Sequence, residues 1–139
     1  MILLFDNPML IPKLIKLAEE VPGAPLKWLR EFIFHTLNTP GVIAYADIHE
    51  GEYRGFIYAN ISEWNGDKCV FIQACVLKPC KEERYIGFEL LTKIKLFAKE
   101  KNLTQIYFIT QRNPEGFIRK YHFENAGNIL KLDLTKGDK

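Results

Sequence analysis

Residues 77–91 read Leu77-Lys78-Pro79-Cys80-Lys81-Glu82-Glu83-Arg84-Tyr85-Ile86-Gly87-Phe88-Glu89-Leu90-Leu91. The stretch joins two kinds of pattern. Upstream, Lys68 to Leu77 is rich in β-branched, aromatic and small apolar residues, as a strand is. Downstream, from Ile86, the residues Leu90, Leu91, Ile94, Phe97 and Ala98 recur at helical spacing against Lys93, Lys95, Lys99 and Lys101. That predicts a helix over Gly87 to Lys101 with a basic, solvated outer face. A strand that feeds a helix through a short polar turn leaves backbone N–H groups unpaired at the helix start. Together with the helix dipole they make a ready anion site.

Working outward, Leu103 to Thr110 reads as the next strand, and two strands separated by a helix of this length require a parallel crossover. Toward the N-terminus, Val42 to His49, Tyr53 to Glu63 and Lys68 to Leu77 are three β-rich runs separated by Glu50-Gly51-Glu52 and Trp64-Asn65-Gly66-Asp67. Asn-Gly is the strongest short hairpin signal, so these runs form an antiparallel meander. Ile2 to Phe5 is a short strand. Two amphipathic helices follow it, one carrying Leu10, Leu14, Ile15, Leu17 and Ala18, the other spanning Leu26 to Leu37, with Val21-Pro22-Gly23-Ala24-Pro25 between them. Glu115 to Tyr121 reads as a short helix and Ile129 to Leu134 as a closing strand after the turn Asn125-Ala126-Gly127. The order β-α-α-β-β-β-α-β-α-β specifies an α/β fold: a mixed central sheet in which a meander leads into a βαβ crossover.

Composition agrees with one domain over residues 1–139, since 47% hydrophobic and 26% charged residues suit a single core. A net charge of +2 is too small to make nucleic acid or an anionic membrane the expected partner. Lys, Glu or Asp interrupts every apolar run before a membrane-spanning length, and the apolar start Met1 to Phe5 lacks the flanks of a secretory signal. Cys69, Cys75 and Cys80 are an odd count without a Cys-x-x-Cys pair, so neither a disulfide framework nor a metal site is expected. A soluble, cytoplasmic chain is the expectation.

Aligned on Leu77, Pro79, Gly87, Leu90 and Leu91, the opening segment resembles the central motif of the GNAT (GCN5-related) N-acetyltransferases, an apolar residue-x-Pro followed by Gln/Arg-x-x-Gly-x-Gly/Ala and two helical leucines. Asn113, Phe117 to Phe123 and Glu124-Asn125-Ala126-Gly127 resemble that family's downstream Asn loop and terminal segment. The resemblance implies an acetyl-CoA-dependent transferase acting directly on a small-molecule or protein amine. It implies that Cys75, Val76 and Leu77 bind pantetheine through backbone, that Glu82, Arg84, Tyr85, Ile86 and Gly87 cradle the pyrophosphate, and that Asn113 also contacts the cofactor. The sequence departs from the pattern where Glu82 replaces Gln/Arg, Tyr85 replaces Gly, Ile118 replaces the usual acidic Tyr and His122 replaces a Gly. These departures define an alternative, a GNAT-like domain without catalysis that serves as a binding or assembly module.

Acetyl transfer to an amine needs a base and a proton donor. Three catalytic candidates follow: Asp47, on one strand face with Tyr45 and His49; Glu63, near the second meander turn; and Tyr121, three residues beyond Ile118. The plain reading of the Tyr45-Asp47-His49 face is a polar, solvent-facing side of a half-buried sheet. Gln73 in the strand before the motif can orient a water but cannot take a proton.

Overall fold

The structure is a computed structural model that describes residues 1–64, 66–109, 124–126 and 129–136. Its strands are β1 (Ile2–Leu4), β2 (Val42–His49), β3 (Glu52–Trp64), β4 (Asp67–Leu77), β5 (Gln105–Ile109), β6 (Glu124–Ala126) and β7 (Ile129–Asp133). They form one sheet in the order β1-β2-β3-β4-β5-β7-β6. Every neighbouring pair is antiparallel except β4 and β5, which are parallel. The expected meander and crossover are both present. The crossover element is α3 (Glu83–Glu100).

The meander turns follow from backbone chemistry. His49 pairs with Glu52, and the residues between, Glu50 and Gly51, have φ of 52° and 78°. Positive φ at both central positions gives the turn whose twist matches that of the flanking strands. Gly66, at φ 85°, performs the same service between Trp64 and Asp67.

Two apolar layers flank the sheet. On one face α1 (Ile11–Glu19) and α2 (residues 26–36) bury Leu14, Leu17, Leu29 and Ile33 against Phe5, Phe56, Tyr58, Ala74 and Val76. On the other, α3 buries Ile86, Leu90, Ile94, Phe97 and Ala98 against Ile57, Ala59, Val70, Ile72, Ile106 and Phe108. Gly55 of β3 lets α3 come close: a Cβ there would stand 2.7 Å from Ile86 Cγ2 and 3.1 Å from Leu90 Cδ1.

Several expectations are corrected. The helix expected over Gly87 to Lys101 starts at Glu83, because the apolar stripe marks where a helix touches the sheet and not where its hydrogen bonding begins. The first turn is already closed by Ile86 N–H donating to Glu82 O at 2.8 Å. Lys95, assigned to a solvated face, is only 7% exposed, with its ammonium 5.9 Å from the Phe88 ring centroid. Asn125 and Ala126, read as part of the turn Asn125-Ala126-Gly127, belong to the edge strand β6. The face of Tyr45, Asp47 and His49 is not a solvent face. Ile43 and Tyr45 pack against the α3 layer, Asp47 is 4% exposed, and His49 alone of the three is exposed, because α3 covers this side. The expected helix Glu115 to Tyr121 lies outside the described residues.

Candidate active site

The parallel ladder between β4 and β5 consists of Val70↔Ile106, Phe71↔Tyr107 and Ile72↔Phe108. Among the described residues Ile72↔Phe108 is its last pair, while β4 continues to Leu77. At the same position β4 carries a bulge: Ala59 of β3 faces Ile72 and Tyr58 faces Ala74, so Gln73 is the extra residue. The bulge resets the alternation of side chains. Ile72 faces α3, Ala74 and Val76 face α1 and α2, and Cys75 and Leu77 return to the α3 layer. Gln73 Nε2 donates to Asn60 Oδ1 at 2.9 Å, which ties the bulge to β3.

Beyond Leu77 the chain crosses a polar turn into α3. Glu83 N–H donates to Cys80 O at 3.2 Å, while Arg84 and Tyr85, the next residues of the first turn, have no acceptor for their N–H groups among the described residues. The side chain of Glu82 at the N-cap makes no capping bond. Two donors and the positive end of an 18-residue helix therefore lie directly after the end of β4. This geometry suits an extended ligand with anionic groups, its chain along β4 and its charge at the helix start.

No protein-family model matches the sequence, and no curated protein matches it. Solved structures do match. A Desulfovibrio desulfuricans protein assigned to the acetyltransferases of the GNAT family superposes with a TM-score of 0.79 at 12% identity, covering 96% of this chain and 98% of that one. The aminoglycoside 6'-N-acetyltransferase of Enterococcus faecium superposes at 0.70 with 18% identity, covering 96% of each chain. The PaiA N-acetyltransferase of Thermoplasma acidophilum, in complex with coenzyme A, superposes at 0.69 with 17% identity over 96% of this chain and 99% of that one.

The chain has the fold of the GNAT acetyltransferases.

Within the GNAT fold each expected residue has a definite setting. Cys75, Val76 and Leu77 lie on β4 past the ladder's end. Glu82, Arg84 and Tyr85 lie at the start of α3, all exposed, and Ile86 and Gly87 are buried in the helix itself. Gly87 thus stands in the second turn and does not supply the first free N–H groups. The sequence also suggests that Tyr85 would put a ring where phosphate must approach. Its side chain is instead 65% exposed and hydrogen-bonds Glu89 one turn on, and that bond, reinforced by the Glu89 charge, raises the phenol pKa. Lys78, the basic residue just after β4, is held on the opposite side by acidic partners. Its Nζ lies 3.3 Å from Glu20 and 4.0 Å from Glu52.

Of the catalytic candidates, the two among the described residues, Asp47 and Glu63, lie apart. Asp47 Oδ2 accepts a 2.8 Å bond from Arg54 Nε, and the Met1 nitrogen lies 3.2 Å from Oδ1. This buried pair sits at the sheet's β1 side, beneath the start of α3. Glu63 is exposed at the hairpin end of β3, paired in register with Lys68. It is five residues from Tyr58, roughly 17 Å along a strand. Tyr121 and Asn113 lie outside the described residues. Sequence reasoning passed over Asn60, whose amide joins Gln73 at the bulge. A polar residue inside an otherwise apolar β3 was the available signal, but its partner is 13 residues away.

Proposed function

We propose that this chain is an acetyl-CoA-dependent N-acetyltransferase that passes the acetyl group directly to a primary amine in a ternary complex. The observation that carries the reading is the Gln73 bulge of β4, next to the last described β4–β5 pair and in line with the open first turn of α3. On this reading β4 backbone from Cys75 to Leu77 aligns the pantetheine arm, and the Arg84 and Tyr85 N–H groups receive the pyrophosphate. The thioester carbonyl then lies at the bulge. The neutral amine attacks it, a C–N bond forms, the C–S bond breaks, and the thiolate leaves with a proton from water.

Asn60 and Gln73 are neutral amides, so they orient water or amine and do not accept its proton. The amine's proton leaves through solvent. The acceptor is a small molecule or a protein amine. A reducing cytoplasm suits the three cysteines, none of which is in a disulfide.

Glu82 and Glu83 beside the helix start favour a second reading, a module of the same fold without catalysis. Calorimetric titration with acetyl-CoA separates the two. Binding with thiol release in the presence of amines is the expected result, and Glu82→Gln should tighten binding about fivefold, since removing a like charge some 6 Å from phosphate gains about 1 kcal/mol. Tyr85→Gly should bring no gain, because the ring already stands in solvent. Absence of acetyl-CoA binding in both wild type and Glu82→Gln would leave only the module.

A further inference from the structure

α2 is not a regular helix: Leu26–Trp28 and Phe34–Thr36 are α-helical, but Leu29–Ile33 between them is a π-helical turn. Such wide turns are rare and concentrate at functional sites. Here Leu29 and Ile33 enter the core, while Trp28 and Phe32 stack with ring centroids 4.8 Å apart and planes 26° from parallel. Both rings meet Tyr58 edge-on, at 5.4 Å and 6.2 Å. Tyr58 is 1% exposed, and its hydroxyl donates to Thr36 Oγ1 at 2.6 Å, which in turn donates to Phe32 O at 3.0 Å. The hydrogen-bond chain fixes the cluster on the π-helical turn.

Phe32 nevertheless remains 41% exposed. A large ring held rigidly by neighbours yet open to water is a ready binding surface. Its position matters more. Tyr58 is the register partner of Ala74, the residue after the Gln73 bulge, and the bulge adjoins the last β4–β5 pair. The Asn60–Gln73 amide pair lies at the same bulge, and alternation along β3 puts Asn60 on the Tyr58 face. An amine approaching the bulge from the α1–α2 side therefore passes the aromatic cluster.

We infer that Trp28 and Phe32, backed by the buried Tyr58, form an acceptor-selecting wall, and that the preferred acceptor is a primary amine carrying an aromatic ring. The inference rests on the acetyltransferase reading and deepens it. An aryl body, in place of a polycation, follows from the charges: the neighbouring Arg30 is paired to Glu19 at 3.1 Å, and the polar groups at the bulge are neutral amides. Among the described residues the wall offers ring surface, with the single exposed carboxylate of Glu31 beside it and no cluster of carboxylates to hold a second ammonium group.

The experiment uses the full chain with Trp64→Phe, which leaves Trp28 as the sole tryptophan. 2-Phenylethylamine and spermidine are the probes. Titration of the aryl amine should change Trp28 fluorescence saturably, and spermidine should not. In steady-state assays Phe32→Ala should raise KM for 2-phenylethylamine about tenfold with kcat within twofold, as loss of one stacking partner implies. Phe34→Ala, which alters an exposed ring outside the wall, should leave KM unchanged. Acetyl-CoA affinity, measured alongside, should be the same in all variants. Preference for spermidine, no fluorescence response, or equal KM for wild type and Phe32→Ala would each overturn the wall. Because fluorescence needs no turnover, a chain that fails to bind acetyl-CoA but still shows the aryl-amine response would refute the enzyme and not the surface.

Discussion

Asp47 uses both carboxylate oxygens on contacts with Arg54 and the Met1 nitrogen, which argues for a structural role. With Arg54 only 20% exposed, the pair belongs to the packing beneath α3. Asp47→Asn should therefore behave as a stability variant. Breaking a buried pair strands the remaining charge at a cost of ~3–5 kcal/mol, and the partial exposure of Arg54 puts the expectation at the lower end. Urea unfolding measures it, and turnover per folded molecule should fall less than tenfold. A large loss of kcat at unchanged stability would restore Asp47 as a base. That Asp47 shares a face with Tyr45 was readable from alternation. That the face is covered was not, because the covering helix is nearly 40 residues away in sequence.

At the scale of elements, the position of α3 governs the site, and Gly55 governs α3. The first turn of the helix can reach the end of β4 only because β3 presents no side chain under Ile86 and Leu90. Gly55→Ala introduces a methyl 2.7 Å from Ile86 Cγ2 and 3.3 Å from Leu77 Cδ2, so helix or strand must shift. Overpacking of this kind costs ~1–3 kcal/mol. The expected outcome is lower stability by denaturant titration together with weaker acetyl-CoA binding, since Leu77 and the helix start move with the packing. Weakened stability with unchanged affinity would show that the anion end of the cleft is independent of this contact. The helix was evident from its 3.6-residue stripe, but its true N-terminus was not, because polar first-turn residues carry no periodic signal.

For the molecule as a whole, the two layers bury ionisable groups in neutral form. Burial raises the Cys69 thiol above 9.0, with the Asp67 charge adding to it, and burial raises the Tyr58 and Tyr53 phenols above 10.0. A thiol or phenol with a raised pKa holds its proton more tightly in the fold. Its contribution is complete below the unfolded pKa and is lost as pH climbs toward the folded one. Stability should thus be flat around neutrality and fall above about pH 9. Urea midpoints at pH 7.5 and 10.5 test this, and Cys69→Ala combined with Tyr58→Phe should reduce the difference between them. An unchanged midpoint in the wild type would mean that these groups ionise freely in the fold.

Sequence by itself determined the elements from β1 to β5, their order and the closing strand β7, but not the edge strand β6. Period-2 and period-3.6 patterns, Asn65-Gly66 and Gly51 as turn signals, and the strand-turn-helix segment at 77–91 are local, and local rules are written into neighbouring residues. The parallel partnership of β4 and β5 followed, since a crossover admits no other pairing. Tertiary structure alone decided that Gln73 bulges and finds Asn60, that Lys78 turns to Glu20, and that a π-helical turn stacks Phe32 on Trp28 and sets it against Tyr58. Each of these joins residues distant in sequence, where packing of two layers on one sheet, and not the preference of any short segment, selects the partner.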